Sequence, residues 1–225
     1  MFVVAFCFLG WAWWKIQKNH PRYIIPLIAV VSALLIVIQF VEFPVAGGGS
    51  TWHFLGGAAV SMVLGPFAGI ISMTITLVVQ AFAFGDGGLT SFGANVFNMT
   101  VIGALSFFIV KAFLMQGFSF KRLAMGMFFA SLISNVCTAL AVGVEIGLFP
   151  MVGTLGGLGV TVGSMLFWYV PTGIVEGIVS SALIVSLARL GGVRLFGLDL
   201  CKDKKICKQR HKINSPTESR FGDMR

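Results

Sequence analysis

The chain has 225 residues, 57% of them hydrophobic and 11% charged, with 16 Lys/Arg against 8 Asp/Glu and a net charge of +8. Soluble domains carry about 25% charged residues, so this composition excludes a water-facing globular surface and a separate soluble domain. In such a chain a basic excess reports membrane topology, and no nucleic-acid partner is expected.

In chain order, Met1–Trp14 is apolar and shorter than a span, without the basic lead or the cleavage site of a signal peptide. It reads as a transmembrane helix missing its beginning. Lys15–Arg22 is a basic turn, and Tyr23–Val41 is long enough to span, with Pro26 near its start. Glu42–Ser50 is a polar, glycine-rich break. Phe54–Leu64 and Phe67–Phe84 are apolar and separated by Gly65-Pro66, a helix breaker. Gly85–Asn95 reads as a loop, Val96–Met115 as a span, Gly117–Arg122 as a basic turn and Leu123–Val144 as a span. Glu145–Gly159 is a second glycine-rich loop, and Val160–Leu187 a long span with Pro171 inside it.

The expected fold is therefore an all-α integral membrane bundle of about seven transmembrane helices, the first truncated. Residues 1–190 form the membrane domain, and 191–225 a basic, partly disordered cytoplasmic tail. When the spans alternate sides, all 16 Lys/Arg fall on or next to one face, while Glu42, Asp86 and Glu145 fall on the other. The positive-inside rule makes the first face cytoplasmic, with the N-terminus outside and the C-terminus inside. The three acidic loops then converge at the outer face.

Few groups in this hydrocarbon-rich chain can do chemistry. His53 lies at the membrane edge of the first outer loop, and a neutral imidazole is a common ligand for nickel, cobalt, copper and zinc. An interfacial or capping histidine bonded to a loop carbonyl is the other reading, and the commoner one for a lone histidine. A transition-metal site needs three or four donors, and no second histidine or cysteine falls on the outer side. Asp86 in FGDGG suits an Asx-type turn, the flanking glycines allowing positive φ. Asn95 and Asn98 share a helix face, with Asn95 placed to cap the following helix and Asn98 within the span. Glu176, Gln80 and Asn135 are polar groups inside apolar runs and need partners there. Gly65–Gly69 and Gly173–Gly177 fit the GxxxG packing pattern. The tail CKDKKICKQRHK reads as a topology signal or an anionic-lipid contact. A metal role for Cys201, Cys207 and His211 is the other reading of that tail. No phosphate-binding loop, HExxH or GxSxG motif occurs, so the chain does not read as an enzyme, and active transport would draw on ion coupling or a partner ATPase.

The stretches Trp52–Gly57, Leu64-Gly65-Pro66, Val78–Ala81 and above all FGDGGLTSFGANVFNM (Phe84–Met99) resemble the cobalt/nickel substrate-capture subunits of energy-coupling factor transporters. The resemblance runs from about Trp11 to Leu190, and the WHFLGG form is closer to the nickel branch. It implies a seven-helix subunit that binds Ni²⁺ or Co²⁺ as cargo near the outer face, with no permanently bound cofactor. It also implies a transmembrane coupling subunit, cytoplasmic ATPase subunits and a small accessory membrane subunit. The family holds its metal with nitrogens: the histidine matching His53, and the amine, amide and imidazole of an N-terminal Met-His. This chain has Phe2 where that second histidine is expected. A truncated start and a degenerate site are the two explanations, and the short first helix favours truncation. His53 is then the one expected metal ligand, with Asp86, Asn95 and Asn98 as supporting or loop-ordering groups. A vitamin-like organic cargo, using Trp52, Phe54 and Phe84, and a non-transporting scaffold are the alternatives.

Overall fold

A computed structural model describes residues 1–19, 24–44, 51–148 and 157–190. The turn at 20–23, the loop centres at 45–50 and 149–156, and the tail from 191 with Cys201, Cys207 and His211 lie outside the described residues.

The described helices are α1 (Phe2–Asn19), α2 (Ile24–Gln39), α3 (Gly57–Leu64), α4 (Pro66–Val79), α5 (Phe92–Asn95), α6 (Ile102–Leu114), α7 (Phe120–Leu148) and α8 (Gly157–Leu190). Two π-helical segments, π1 (Gln80–Phe84) and π2 (Val96–Val101), extend α4 and join α5 to α6. Counted as continuous rods, these make seven. Four of them, Pro66–Phe84, Phe92–Leu114, Phe120–Leu148 and Gly157–Leu190, are long and apolar enough to cross a membrane. The chain is a multi-pass membrane protein. α3 has 8 residues, about 12 Å of helix, and cannot cross a hydrocarbon core of about 30 Å alone. The chain folds back at Gly65 into α4, where Pro66 takes the first helical position, the one that needs no N–H, and a Cβ on Gly69 would lie 3.0 Å from Ser61 Cα.

Several helices outrun their expected ends. α1 continues through Lys15 to Asn19, α7 past Val144 to Leu148, and α8 past Leu187 to Leu190. Helix also starts at Phe92, so the second outer loop is shorter than expected and Asn95 is not a cap; Ser91 holds that position. Part of the expected polar break is an antiparallel ribbon of β1 (Glu42–Pro44) and β2 (Thr51–His53), with Glu42 paired in register to His53. Strand pairing satisfies backbone groups that helix no longer serves.

Polarity is arranged inside out relative to a soluble protein. Exposed apolar side chains cover α2 (Ile25, Val30, Leu34, Val37) and α8 (Phe167, Ile174, Ile178, Leu183). Hydroxyls and amides lie within: Ser32 Oγ meets Ser72 Oγ at 2.9 Å across α2 and α4, and Ser61 Oγ meets Ser106 Oγ at 3.3 Å across α3 and α6. With hydrocarbon as the solvent, apolar burial does little to drive helix association, so close packing and interhelical hydrogen bonds carry it. Close packing needs glycine at defined points. A Cβ on Gly57 would lie 2.9 Å from Gly103 Cα, and one on Gly177 of the Gly173–Gly177 pair would lie 3.0 Å from the Phe128 carbonyl oxygen.

These contacts give a direct test. Gly57→Val should shift the bundle apart and lower the apparent Tm in detergent by at least several degrees, since overpacking costs about 1–3 kcal/mol. Gly163→Ala, where an added Cβ meets nothing within 4 Å, should leave it unchanged or slightly higher. Thermal-shift scans of the two variants separate packing from helix propensity.

Candidate metal-binding site

His53 ends the β-ribbon and is half-buried. Its Nδ1 lies 3.0 Å from the carbonyl oxygen of Phe54. A carbonyl only accepts, so this bond places the proton on Nδ1 and leaves the lone pair on Nε2. A ring whose other nitrogen donates to a backbone carbonyl is in the state required of a metal ligand.

What holds the ring there is the peptide two residues on. Leu55 and Gly56 lie between β2 and α3, in neither strand nor helix, yet Leu55 is only 2% exposed. Backbone so placed has no ladder to join and no water to meet, and in a membrane bundle it must find side chains instead. It finds them on both faces. The N–H groups of Leu55 and Gly56 donate to Glu176 Oε2 and Oε1, each at 3.0 Å. The Leu55 carbonyl accepts from Gln39 Nε2 at 2.8 Å. Behind them, Asn135 Nδ2 donates to Glu176 Oε2 at 3.2 Å, and Gln80 Nε2 donates to Gln39 Oε1 at 3.1 Å. One peptide thus ties α2, π1, α7 and α8 together. All three direct contacts of Glu176 are N–H donors, the set a carboxylate group takes with its two oxygens. Gly56 then enters α3 with φ +71, a conformation glycine adopts at little cost.

The other expected residues do not gather on His53. Asn95, inside α5, donates from Nδ2 to the Gly87 carbonyl at 3.0 Å and so fastens the 85–91 loop. That loop begins at Gly85 (φ +72), and the Asp86 N–H donates to the Gln80 carbonyl at 3.1 Å. The loop is therefore hung from the residue that also supports Gln39. Asn98 is 1% exposed and donates from Nδ2 to Glu145 Oε2 at 2.8 Å, while its carbonyl accepts from Thr138 Oγ1 at 3.1 Å. It faces α7 and not the histidine. Cys7 and Cys137 are exposed thiols on the outer surface of the bundle. Among the described residues, no three or more His, Cys, Asp and Glu side chains cluster closely enough to hold a metal. His53 contributes one donor and needs others. Phe2 supplies no imidazole; a Cβ on Gly93 would meet Phe2 Cα at 2.9 Å, so the start of α1 packs against α5.

Sequence reading marked Glu176, Gln80 and Asn135 as polar groups in need of partners, but not the partner they share. Gln39 was passed over. Its one signal is a carboxamide at the last turn of an otherwise apolar run, three residues before Glu42.

Magnitudes rank these contacts. A buried backbone group left without a partner costs about 1–3 kcal/mol, and loss of Glu176 would orphan two N–H groups, while Asn135 Nδ2 keeps its bond to the Ser131 carbonyl at 2.9 Å. Loss of the exposed Asn95–Gly87 bond costs about 1 kcal/mol at most. Glu176→Ala should therefore speed amide hydrogen exchange at Leu55 and Gly56 by about tenfold or more, whereas Asn95→Ala should speed it only in residues 85–91. Exchange read by mass spectrometry on overlapping peptides checks this; unchanged protection of Leu55–Gly56 in Glu176→Ala would remove the clamp.

Comparison with known proteins places this arrangement in context. Residues 1–191 match the family model described as the cobalt uptake substrate-specific transmembrane region, CbiM. The NikMN protein of Archaeoglobus fulgidus, named for nickel transport, is 31% identical over 188 residues, covering 83% of this chain and 60% of that protein. The fused nickel transport protein NikMN of Rhodobacter capsulatus is 34% identical over 139 residues, covering 61% of this chain and 40% of that one. The CbiM 1 protein of Methanocorpusculum labreanum, named for cobalt transport, is 32% identical over 195 residues and is 82% covered. The chain thus spans about half the length of the fused nickel relatives and most of the cobalt relative. A crystal structure of a transition metal transporter superposes with a TM-score of 0.78 at 27% identity, covering 87% of this chain and 89% of that one.

Proposed function

The chain belongs to the CbiM family of cobalt-uptake substrate-specific transmembrane proteins, and from that premise we propose that it captures Ni²⁺ or Co²⁺ for import, with His53 Nε2 as a metal ligand. The observation that carries this reading is the fixed imidazole. Its Nδ1 is engaged by the Phe54 carbonyl at 3.0 Å, and the backbone that follows is clamped at Leu55 and Gly56. A pre-oriented nitrogen loses little entropy when a metal binds. Nickel and cobalt both accept imidazole, and selection between them comes from the remaining donors and their geometry.

In this reading the metal enters from the face bearing the acidic loops, which is the outer face, and the C-terminus is cytoplasmic. Asn95 orders the 85–91 loop as a cover, and Asp86 anchors its first turn. Release inward is driven by ATP hydrolysis in separate cytoplasmic subunits, transmitted by a transmembrane coupling subunit, with a small accessory membrane subunit as a further partner.

His53→Ala should abolish uptake of radioactive nickel or cobalt in cells that express the chain with its transport partners, while membrane levels of the protein stay as in wild type. His53→Gln, which keeps a polar side chain but no imidazole, should do the same. Uptake within about twofold of wild type in either variant would remove His53 from the mechanism.

A further inference from the structure

Among the described residues, the buried side-chain oxygen and nitrogen atoms without a hydrogen-bond partner are Asn98 Oδ1, Glu145 Oε1, Asn135 Oδ1 and Ser131 Oγ. All are oxygens, and all lie on or against one face of α7. Residues 131, 135, 138 and 145 are spaced four, three and seven apart, which stacks them along that face. Asn98 joins the row from π2, through its bonds to Glu145 and Thr138.

The strongest point in the row is the Asn98–Glu145 pair. The two side chains spend one bond on each other, Asn98 Nδ2 to Glu145 Oε2 at 2.8 Å. Glu145 keeps its second oxygen, and Asn98 its one side-chain oxygen, buried with no donor facing either. Asn98 is 1% exposed, so bulk water does not reach its free oxygen. A carboxylate and a carboxamide oxygen left bare inside a membrane bundle are costly unless something positive comes to them. The nearest basic side chains do not: every described Lys and Arg lies at or near the opposite ends of the helices. Asn98 lies within π2, and π-bulges recur at functional sites. The next residue, Met99, lies against the start of α3: a Cβ on Gly57 would lie 3.1 Å from the Met99 carbonyl oxygen.

We propose that Asn98 Oδ1 and Glu145 Oε1 form a second cation position, held through oxygen and separate from the nitrogen of His53. Two oxygens carrying one negative charge suit a divalent cation that keeps part of its water shell. Such a site is weak, which fits a place where cargo pauses and then leaves. Its role in import rests on the transport reading above; its existence does not.

Mn²⁺, an oxygen-seeking and paramagnetic ion, tests it directly. The full chain carrying His53→Ala is purified in detergent and titrated with MnCl₂, with free Mn²⁺ read from its six-line EPR signal. Saturable binding of one Mn²⁺ per chain is expected, weakened about tenfold or more by adding Glu145→Gln and about threefold or more by adding Asn98→Ala. Absence of saturable binding in His53→Ala, or titrations that superimpose with and without Glu145→Gln, would overturn the proposal. If the Glu145→Gln protein does not purify as a single species, the Asn98→Ala titration decides in the same way. Loss of nickel and cobalt binding at His53 in wild type would sink the transport reading and leave the Mn²⁺ result standing.

Discussion

A single peptide unit, Leu55–Gly56, holds this bundle to its function. It breaks the helical rule for membrane backbone, lying buried between a ribbon and a short helix. Its N–H groups go to Glu176 and its carbonyl to Gln39. Because no water can stand in for these partners, each bond is worth more than its counterpart at an aqueous surface. The side chains that supply them come from α8 and α2, braced by Asn135 of α7 and Gln80 of π1. Helix positions, loop entry and imidazole orientation are therefore one coupled problem.

That coupling explains why the polar residues of the bundle divide into two groups. One set, Glu176, Gln39, Gln80 and Asn135, serves the backbone around His53, with Asn135 Oδ1 left without a partner. The other, Asn98 and Glu145, keeps oxygens in reserve. The first set fixes the backbone that follows His53, and the second leaves two buried oxygens without a partner against α7. Asn95 and the 85–91 loop stand outside both sets, the loop being tied by the Asn95 and Ser91 side chains and by the Asp86 N–H to the Gln80 carbonyl.

The membrane class, the seven rods and most helix ends were legible in the sequence because hydropathy and the Gly65-Pro66 break act locally. Helix ends were missed where local signals mislead: Lys15 and Lys18 do not stop α1, since lysine is a good helix former, and Asn95 looks like a cap but sits inside α5. The glycines of FGDGG do adopt positive φ, at 72° for Gly85 and 76° for Gly87, as their spacing in a tight turn required. The clamp was not legible. Leu55 and Glu176 are 121 residues apart, and nothing in a side chain's identity says which backbone it will serve. The same holds for Asn98 and Glu145, read separately as a membrane amide and a loop carboxylate until π2 set them face to face.

The account's central claim is that the clamp fixes His53 with its proton on Nδ1 and its lone pair on Nε2. Nitrogen-15 NMR of histidine-labelled protein reads the tautomer directly, with the His53 signals assigned by their loss in His53→Ala. The claim predicts a single Nδ1–H tautomer for His53 in wild type, which gives way to a mixture in Glu176→Gln as the Leu55–Gly56 backbone loosens. A dominant Nε2–H tautomer in wild type, or a tautomer that Glu176→Gln leaves untouched, would contradict it.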